Sequence, residues 1–155
     1  ITKPLLQKAL IAGFFSAFTI GVLTVLTYKS TLGYFIAASF GSSMVLLFGF
    51  PESPFAQPKN VFFGHLVTAL VGVIFVNYIP FPIYINIAIA VGAGVFLMIL
   101  FNIVHPPAGG NPIIVIIGSA SYDYLINPII FGCIIILLLA IIINKYLLKK
   151  NYPLK

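Results

Sequence analysis

The sequence is short of every residue type on which catalytic and metal sites are usually built. Only 6% of its 155 residues are charged, and it contains no tryptophan and no arginine. Glu52 and Asp123 are its only carboxylates and Cys133 its only cysteine. These shortages argue against a disulfide framework, a metal cluster and a paired-carboxylate active site. We therefore expect neither an enzyme nor a bound cofactor.

What the chain has in excess is apolar sequence. It is 61% hydrophobic, and its apolar runs repeatedly exceed the length of a buried core helix, which indicates an integral membrane protein in contact with the lipid bilayer. The formal charge of +6 comes from lysines at the chain ends and between apolar runs, so it indicates membrane topology rather than nucleic-acid binding. We expect a bacterial plasma membrane, with both termini cytoplasmic.

The apolar runs predict an all-α transmembrane bundle that forms one domain over residues 1–155. A helix needs about 20 residues to cross the hydrocarbon layer of a bilayer. Four segments reach that length, at residues 5–28, 60–79, 83–104 and 126–148. Two others, at residues 34–49 and 108–120, are too short and start with small or polar residues. They predict half-helices or broken helices.

The order long, short, long then repeats, which suggests an internal duplication with halves at about residues 4–80 and 82–150. Chance similarity between apolar helices is the alternative. If each short segment completes a crossing, each half crosses three times and the second half is inverted. All lysines except Lys29 then lie on the cytoplasmic side. If the short segments are re-entrant instead, Lys59 joins Lys29 outside.

Stripes of small residues predict which helices pack closely. Gly13, Ala17 and Gly21 recur every four residues in the first helix, and Gly64, Thr68 and Gly72 recur in the third segment. We expect both helices inside the bundle. The last helix has no such stripe, and we expect its surface to face lipid. Glycine-rich faces also allow a homo-oligomer.

The stretch FNIVHPPAGGNPIIVIIG, residues 101–118, interrupts an apolar run with prolines and glycines. Irregular backbone survives at membrane depth only where it is buried in protein or lines a cavity. Pro106 and Pro107 end the preceding helix, and a new one can begin near Gly109 to Pro112. We expect its first backbone N–H groups to be unpaired and, with Gly109 and Gly110 removing side chains, to bind a small anion.

The first half has a corresponding stretch at Gly41-Ser42-Ser43, whose hydroxyls can cap a helix or donate to a ligand. If the halves are inverted, the two broken segments meet near the bilayer midplane and enclose one small chamber. The predicted substrate-binding residues are Ser39, Gly41, Ser42, Ser43, His105, Pro106, Pro107, Gly109, Gly110 and Asn111.

Two histidines occur within apolar sequence. An ionisable group at membrane depth is costly and marks a functional site by default. His105 either binds a ligand or carries a proton, or it caps carbonyls freed by the proline break. His65, near the start of the third segment, fits a structural helix-end histidine better than a ligand.

The blocks FGSSMVLLFGFPESPFAQPKNVFFGHLVTALVG and NIVHPPAGGNPIIVIIG resemble the HPP family of small integral membrane proteins, named for the tripeptide seen here as His105-Pro106-Pro107. The similarity covers most of the chain. Plant plastid and cyanobacterial members are associated with nitrite transport, whereas many members have no known function. The resemblance implies transport of a small monovalent anion such as nitrite.

Three classes of function remain open from the sequence. The first is a channel or carrier for nitrite or another small solute, either passive or coupled to protons. The second is a non-transporting membrane scaffold or assembly protein, for which the small-residue stripes would be enough. The third, an intramembrane enzyme, would have only His105 and serines to work with and is the weakest.

Overall fold

The computed structural model describes residues 1–154 and is all-helical, without strands in that part of the chain. Six apolar helices follow one another: α1 (Lys3–Lys29), α2 (Ala38–Gly49), α3 (Pro58–Tyr78), α4 (Ile83–Leu100), α5 (Pro106–Ile117) and α6 (Leu125–Leu147). Four of these, α1, α3, α4 and α6, are long and apolar enough to cross a membrane, which confirms the predicted class. Lys155, counted among the expected cytoplasmic lysines, lies outside the described residues.

The two short helices are irregular, and prolines explain much of this. In α5, Pro106 and Pro107 open a 3-10 turn over Pro106–Gly110 that passes into an α-helix over Asn111–Ile117. Proline is tolerated there because the first helical residues need no N–H partner. In α2, an α-helical Ala38–Met44 continues as a wider π-helical turn over Val45–Gly49. An extended stretch precedes α2, and the Phe35 backbone N–H donates to Thr27 Oγ1 of α1 at 2.9 Å.

The residues near both ends of the described chain meet the same region, which comprises the end of α2 and the loop that follows it, at residues 47–57. The Lys8 ammonium of α1 lies 4.1 Å from the centre of the Phe50 ring. Asn144 of α6 donates to the Leu47 carbonyl oxygen at 2.9 Å, and the Tyr152 hydroxyl donates to that of Ala56 at 2.9 Å. The two ends of the described chain therefore lie at one end of the bundle, and Lys59 at the start of α3 lies there too.

The prediction about which helices are buried is wrong for the first and last. Of the 18-residue stretch that could span a membrane, 11% is buried in α1 and 44% in α6. A Cβ added at Gly13 or Gly21 would find nothing within 4 Å, so these glycines of α1 meet no partner within residues 1–154. The isoleucine-rich α6 instead packs inward through residues such as Ile136 and Ala140, both fully buried.

The stripe on α3 does pack closely, as predicted. A Cβ at Gly72 would lie 2.8 Å from Val115 Cβ of α5, and one at Gly64 would lie 2.9 Å from His105 Cβ. A Cβ added at Gly94 of α4 would lie 3.2 Å from the methyl carbon of Thr68. The glycines thus allow α4 and α5 to pack closely against the central helix α3. This close packing brings α5 against the polar residues of α3.

Candidate functional site

Five polar side chains meet in the interior and form what we call the histidine cluster: Ser43, His65, Thr68, His105 and Asn111. All five have no exposed surface. They come from three elements, with Ser43 on α2, His65 and Thr68 on α3, and Asn111 on α5, which His105 immediately precedes. Both short helices therefore contribute to one buried site on α3.

Ser43 joins the two histidines. Its Oγ lies 2.9 Å from His65 Nε2 and 2.8 Å from His105 Nε2. The same Oγ is 3.2 Å from the Ser39 carbonyl oxygen, one turn earlier in α2. A serine hydroxyl carries one hydrogen and two lone pairs, so it can accept from one imidazole while donating to the other.

The Asn111 amide fixes the hydrogen on His65. Its nitrogen, Nδ2, lies 3.1 Å from the His65 carbonyl oxygen, 3.0 Å from Thr68 Oγ1 and 3.0 Å from His65 Nδ1. A carbonyl oxygen only accepts, so the amide must present its nitrogen on this side. The two amide hydrogens are shared among these three acceptors, so His65 Nδ1 carries no hydrogen of its own. The single ring hydrogen of His65 then sits on Nε2 and donates to Ser43.

The Phe55 carbonyl fixes the hydrogen on His105 in the same way. His105 Nδ1 is 2.7 Å from this oxygen and must donate to it. In the neutral imidazole Nε2 is then a bare acceptor, and the Ser43 hydroxyl donates to it. The donors run in one direction, from Asn111 to His65, to Ser43, to His105 and to Phe55.

The structure brings together some predicted residues and separates others. Ser43, His105 and Asn111 are in the cluster, and buried Ser39 lies at its edge, with Oγ 3.5 Å from His65 Nδ1. Exposed surface is found on the remaining predicted residues: Gly41, Ser42, Pro106, Pro107, Gly109 and Gly110. A Cβ added at Gly41, Gly109 or Gly110 would find nothing within 4 Å, so these glycines serve no close approach.

The expected row of unpaired amides at the start of α5 is not there. Pro106 and Pro107 have no N–H, the Ala108 N–H donates to the His105 carbonyl at 2.9 Å, and the Asn111 N–H donates to that of Ala108. The reason is that the helix begins at Pro106, as a 3-10 turn, and therefore earlier than the glycines suggested. The cluster must therefore act through its side chains.

The expected chamber is also closed. The serine, histidine and asparagine side chains contact one another directly, and cavities of about 490 and 430 Å³ open elsewhere, the first beside Asp123 and Asn127 and the second beside Lys8 and Glu52. One group in the cluster remains unused, because Asn111 Oδ1 is buried without a hydrogen-bond partner in the described chain. It can accept a hydrogen bond from a ligand.

The site predicted from the sequence did not include three groups that the structure places in it: His65, Thr68 and the Phe55 carbonyl. A backbone carbonyl in a loop gives no sequence signal. Thr68 follows His65 by three residues, which puts both on one face of a helix, and Gly64 beside them marks a close helix contact. That spacing was the available signal for His65. Among residues 1–154, no three His, Cys, Asp or Glu side chains are close enough to hold a metal.

Comparison with known proteins identifies relatives along most of the chain. The sequence model described as "HPP, transmembrane region" matches residues 1–153. Two Dictyostelium discoideum proteins, named only as transmembrane proteins, are 33% identical over 143 residues and 34% identical over 142. These matches cover 86% and 85% of this chain, but 50% and 46% of the relatives. The chain thus spans about half the length of these relatives. No solved structure matches.

Proposed function

Since this chain belongs to the HPP family of integral membrane proteins, we propose that it transports a small monovalent anion together with a proton carried by His105. Nitrite is the first substrate to test, because photosynthetic relatives are associated with it. The observation that carries the proposal is the position of the Ser43 hydroxyl, within hydrogen-bond distance of both imidazoles and of the Ser39 carbonyl oxygen.

His105 can accept a proton while the heavy atoms of the cluster stay in place. When Nε2 is protonated it becomes a donor, and the Ser43 hydroxyl can rotate its hydrogen to the Ser39 carbonyl at 3.2 Å. Ser43 Oγ then accepts from both imidazoles, through its two lone pairs. Every hydrogen bond of His105 is thus retained in either protonation state.

His65 has no equally good alternative. A proton on its Nδ1 would face the N–H groups of Asn111 Nδ2 at 3.0 Å, and the Ser39 hydroxyl lies 3.5 Å away, at the limit of a hydrogen bond. Rotating the amide would instead bring its oxygen against the His65 carbonyl oxygen, and two acceptors repel at that distance. The cluster therefore holds His65 neutral and leaves His105 as the group that changes charge.

An anion in this interior needs that charge. The lysines of the described chain are absent from its buried residues and lie near the helix ends. An unpaired ion in a low-dielectric interior is strongly disfavoured. A protonated His105 supplies one positive charge, which balances the charge of one monovalent anion. One proton then accompanies each anion, and transport is electroneutral.

The cluster's closed geometry implies a moving pathway. We propose that the halves at residues 4–80 and 82–150 form an inverted repeat, in which α2 and α5 are half-helices that meet at His65. Relative rocking of two such halves exposes a central site to one side of the membrane at a time. Six crossings then place Lys59 on the same side as both chain ends.

Reconstituted vesicles with a pH-sensitive dye inside test this function. An inward nitrite gradient should acidify the lumen faster than in protein-free vesicles, which measure passive entry of nitrous acid, and no membrane potential should build up. His105→Gln should abolish the added acidification. Nitrate, chloride, formate and bicarbonate in parallel give the selectivity. No protein-dependent flux of any of these ions would reject transport of small anions and favour the scaffold alternative.

A further inference from the structure

The chain folds back over the bundle after α6. Residues 149–154, which we call the C-terminal strap, follow a turn in which the Lys150 N–H donates to the Asn144 carbonyl oxygen at 2.8 Å and Lys149 has a φ of 54°. A positive φ reverses the chain sharply in a way that helices and strands do not allow. The strap consequently runs across the loop at residues 51–57.

Tyr152 anchors the strap in the protein interior. Only 1% of its surface is exposed, and its hydroxyl donates to the Ala56 carbonyl oxygen at 2.9 Å. Burial raises the pKa of the Tyr152 phenol, so the hydroxyl keeps the hydrogen that this bond requires. Two residues later, the Leu154 N–H donates to Gln57 Oε1 at 2.8 Å.

Gln57 connects the strap to the rest of the loop. While its Oε1 accepts from Leu154, its Nε2 donates to the carbonyl oxygens of Pro51 at 3.0 Å and Ser53 at 2.8 Å. Both hydrogens of the amide nitrogen and its oxygen are thus used. The loop between these contacts contains Phe55, the residue whose carbonyl oxygen accepts from His105.

We infer that the C-terminal strap is a positioning element for His105: through Tyr152 and Gln57 it holds the Phe55 carbonyl where it fixes the hydrogen of His105 on Nδ1. The planar peptide groups that carry the Phe55 and Ala56 carbonyls are joined at the Ala56 Cα, and Ala56 lies in a 3-10 turn, so holding one carbonyl restrains the other. Without this restraint the His105 ring can place its hydrogen on Nε2, and the direction of the hydrogen-bond chain is lost. Only the effect on transport rests on the proposed function.

Tyr152→Phe tests the inference because it removes the hydroxyl and keeps the ring that fills the interior. Side-chain ¹⁵N NMR of the histidines in nanodiscs reports which ring nitrogen carries the hydrogen. We expect the His105 signals to move toward a mixture of the two tautomers, with those of His65 unchanged. Tyr146→Phe, on an exposed tyrosine at the same end of the bundle, should leave both histidines unchanged.

Gln57→Glu provides a second variant with the same expectation, because it keeps the acceptor for Leu154 and removes both donors to the loop. If Tyr152→Phe does not fold, this variant decides the question. Wild-type His105 signals in the folded variants overturn the inference.

Flux separates this inference from the proposed function. Losing one hydrogen bond corresponds to about a three- to tenfold effect, so we expect the proton-linked flux of Tyr152→Phe to fall by that factor and its pH profile to shift. Rebuilding the hydroxyl by reversion should restore both. Altered NMR signals in a protein without any wild-type flux would uphold the strap's role while rejecting transport.

Discussion

The surroundings of His65 and of His105 differ in one respect that decides what each can do. Both rings are fully buried and within hydrogen-bond distance of the Ser43 hydroxyl. The other nitrogen of His65 faces an amide whose orientation is fixed, whereas the other nitrogen of His105 donates to a carbonyl that is satisfied in either protonation state. Burial alone therefore does not mark a proton carrier; the partners must suit both charge states.

Ser43→Ala should have the largest effect, since it removes the partner that the two histidines share. His65 Nε2–H and His105 Nε2 would both be left unpaired, at about 1–3 kcal/mol each. We expect a large fall in the free energy of unfolding and complete loss of proton-linked flux. Ser42→Ala is the control, and its exposed side chain should change stability by less than about 0.5 kcal/mol. Equal effects of the two changes would contradict the geometry.

Replacing each histidine by glutamine separates their roles. His105→Gln should abolish the pH dependence of flux together with the flux itself. His65→Gln should retain the pH dependence at a rate about tenfold lower, because it loses hydrogen bonds without losing the proton site. Flux in the vesicle assay at several external pH values measures both. A pH dependence that survives in His105→Gln would assign the proton to another group.

Gly64→Ala should disturb His105 specifically. The new Cβ would lie 2.9 Å from His105 Cβ and 3.1 Å from the Ile103 carbonyl oxygen, closer than atoms pack. Overpacking of this kind costs about 1–3 kcal/mol. Gly13→Ala, with nothing within 4 Å of the added atom, should be neutral or slightly stabilising, because alanine favours helix. Unfolding midpoints in one detergent give the comparison.

Thr68→Val should have the smallest effect and should act on the His65 side. The hydroxyl accepts from Asn111 Nδ2 and donates to the Gly64 carbonyl oxygen at 2.8 Å. Asn111 keeps its two contacts with His65, so we expect a loss of about 1 kcal/mol in the free energy of unfolding. The pH profile of flux should be unchanged, and a shifted profile would show that the two histidines are coupled more tightly than their bonds indicate.

The sequence predicted the course of the chain well, because prolines and run lengths determine it locally. The segment expected at residues 60–79 is Pro58–Tyr78, and the one at residues 83–104 is Ile83–Leu100. Pro80 and Pro82 lie between these two helices. The last spanning segment was placed within a residue or so, at 126–148 against Leu125–Leu147.

Packing between helices was less predictable. Small residues permit a close approach but do not supply a partner, and the glycines of α1 and α3 look alike in sequence. Only those of α3 meet another backbone. Conversely, α6 is packed inward without a small-residue stripe. Its isoleucines belong to the same core as Phe40 and Leu47, and a Cβ at its Gly132 would lie 2.5 Å from the Phe35 carbonyl oxygen.

The candidate site was predicted in part. His105, Ser43 and Asn111 stood out because polar groups at a broken helix are rare in apolar sequence. His65 was assigned a structural role because a single histidine in a helix has no recognisable pattern, and its importance depends on residues far along the chain. Ser42 and Ser43 could not be separated before the helix phase was known, and only Ser43 faces inward.

In the proposed transport cycle, the Ser43 hydroxyl also determines which step is slow. Turning one hydroxyl hydrogen is a side-chain rotation, which takes picoseconds to nanoseconds where it is unhindered, whereas movement of helices against each other takes about microseconds to milliseconds. Once a proton has reached His105, this rearrangement is finished long before the helices can move again, so turnover in the proposed cycle is limited by the slow helix movement. A solvent isotope effect on flux would accordingly be small.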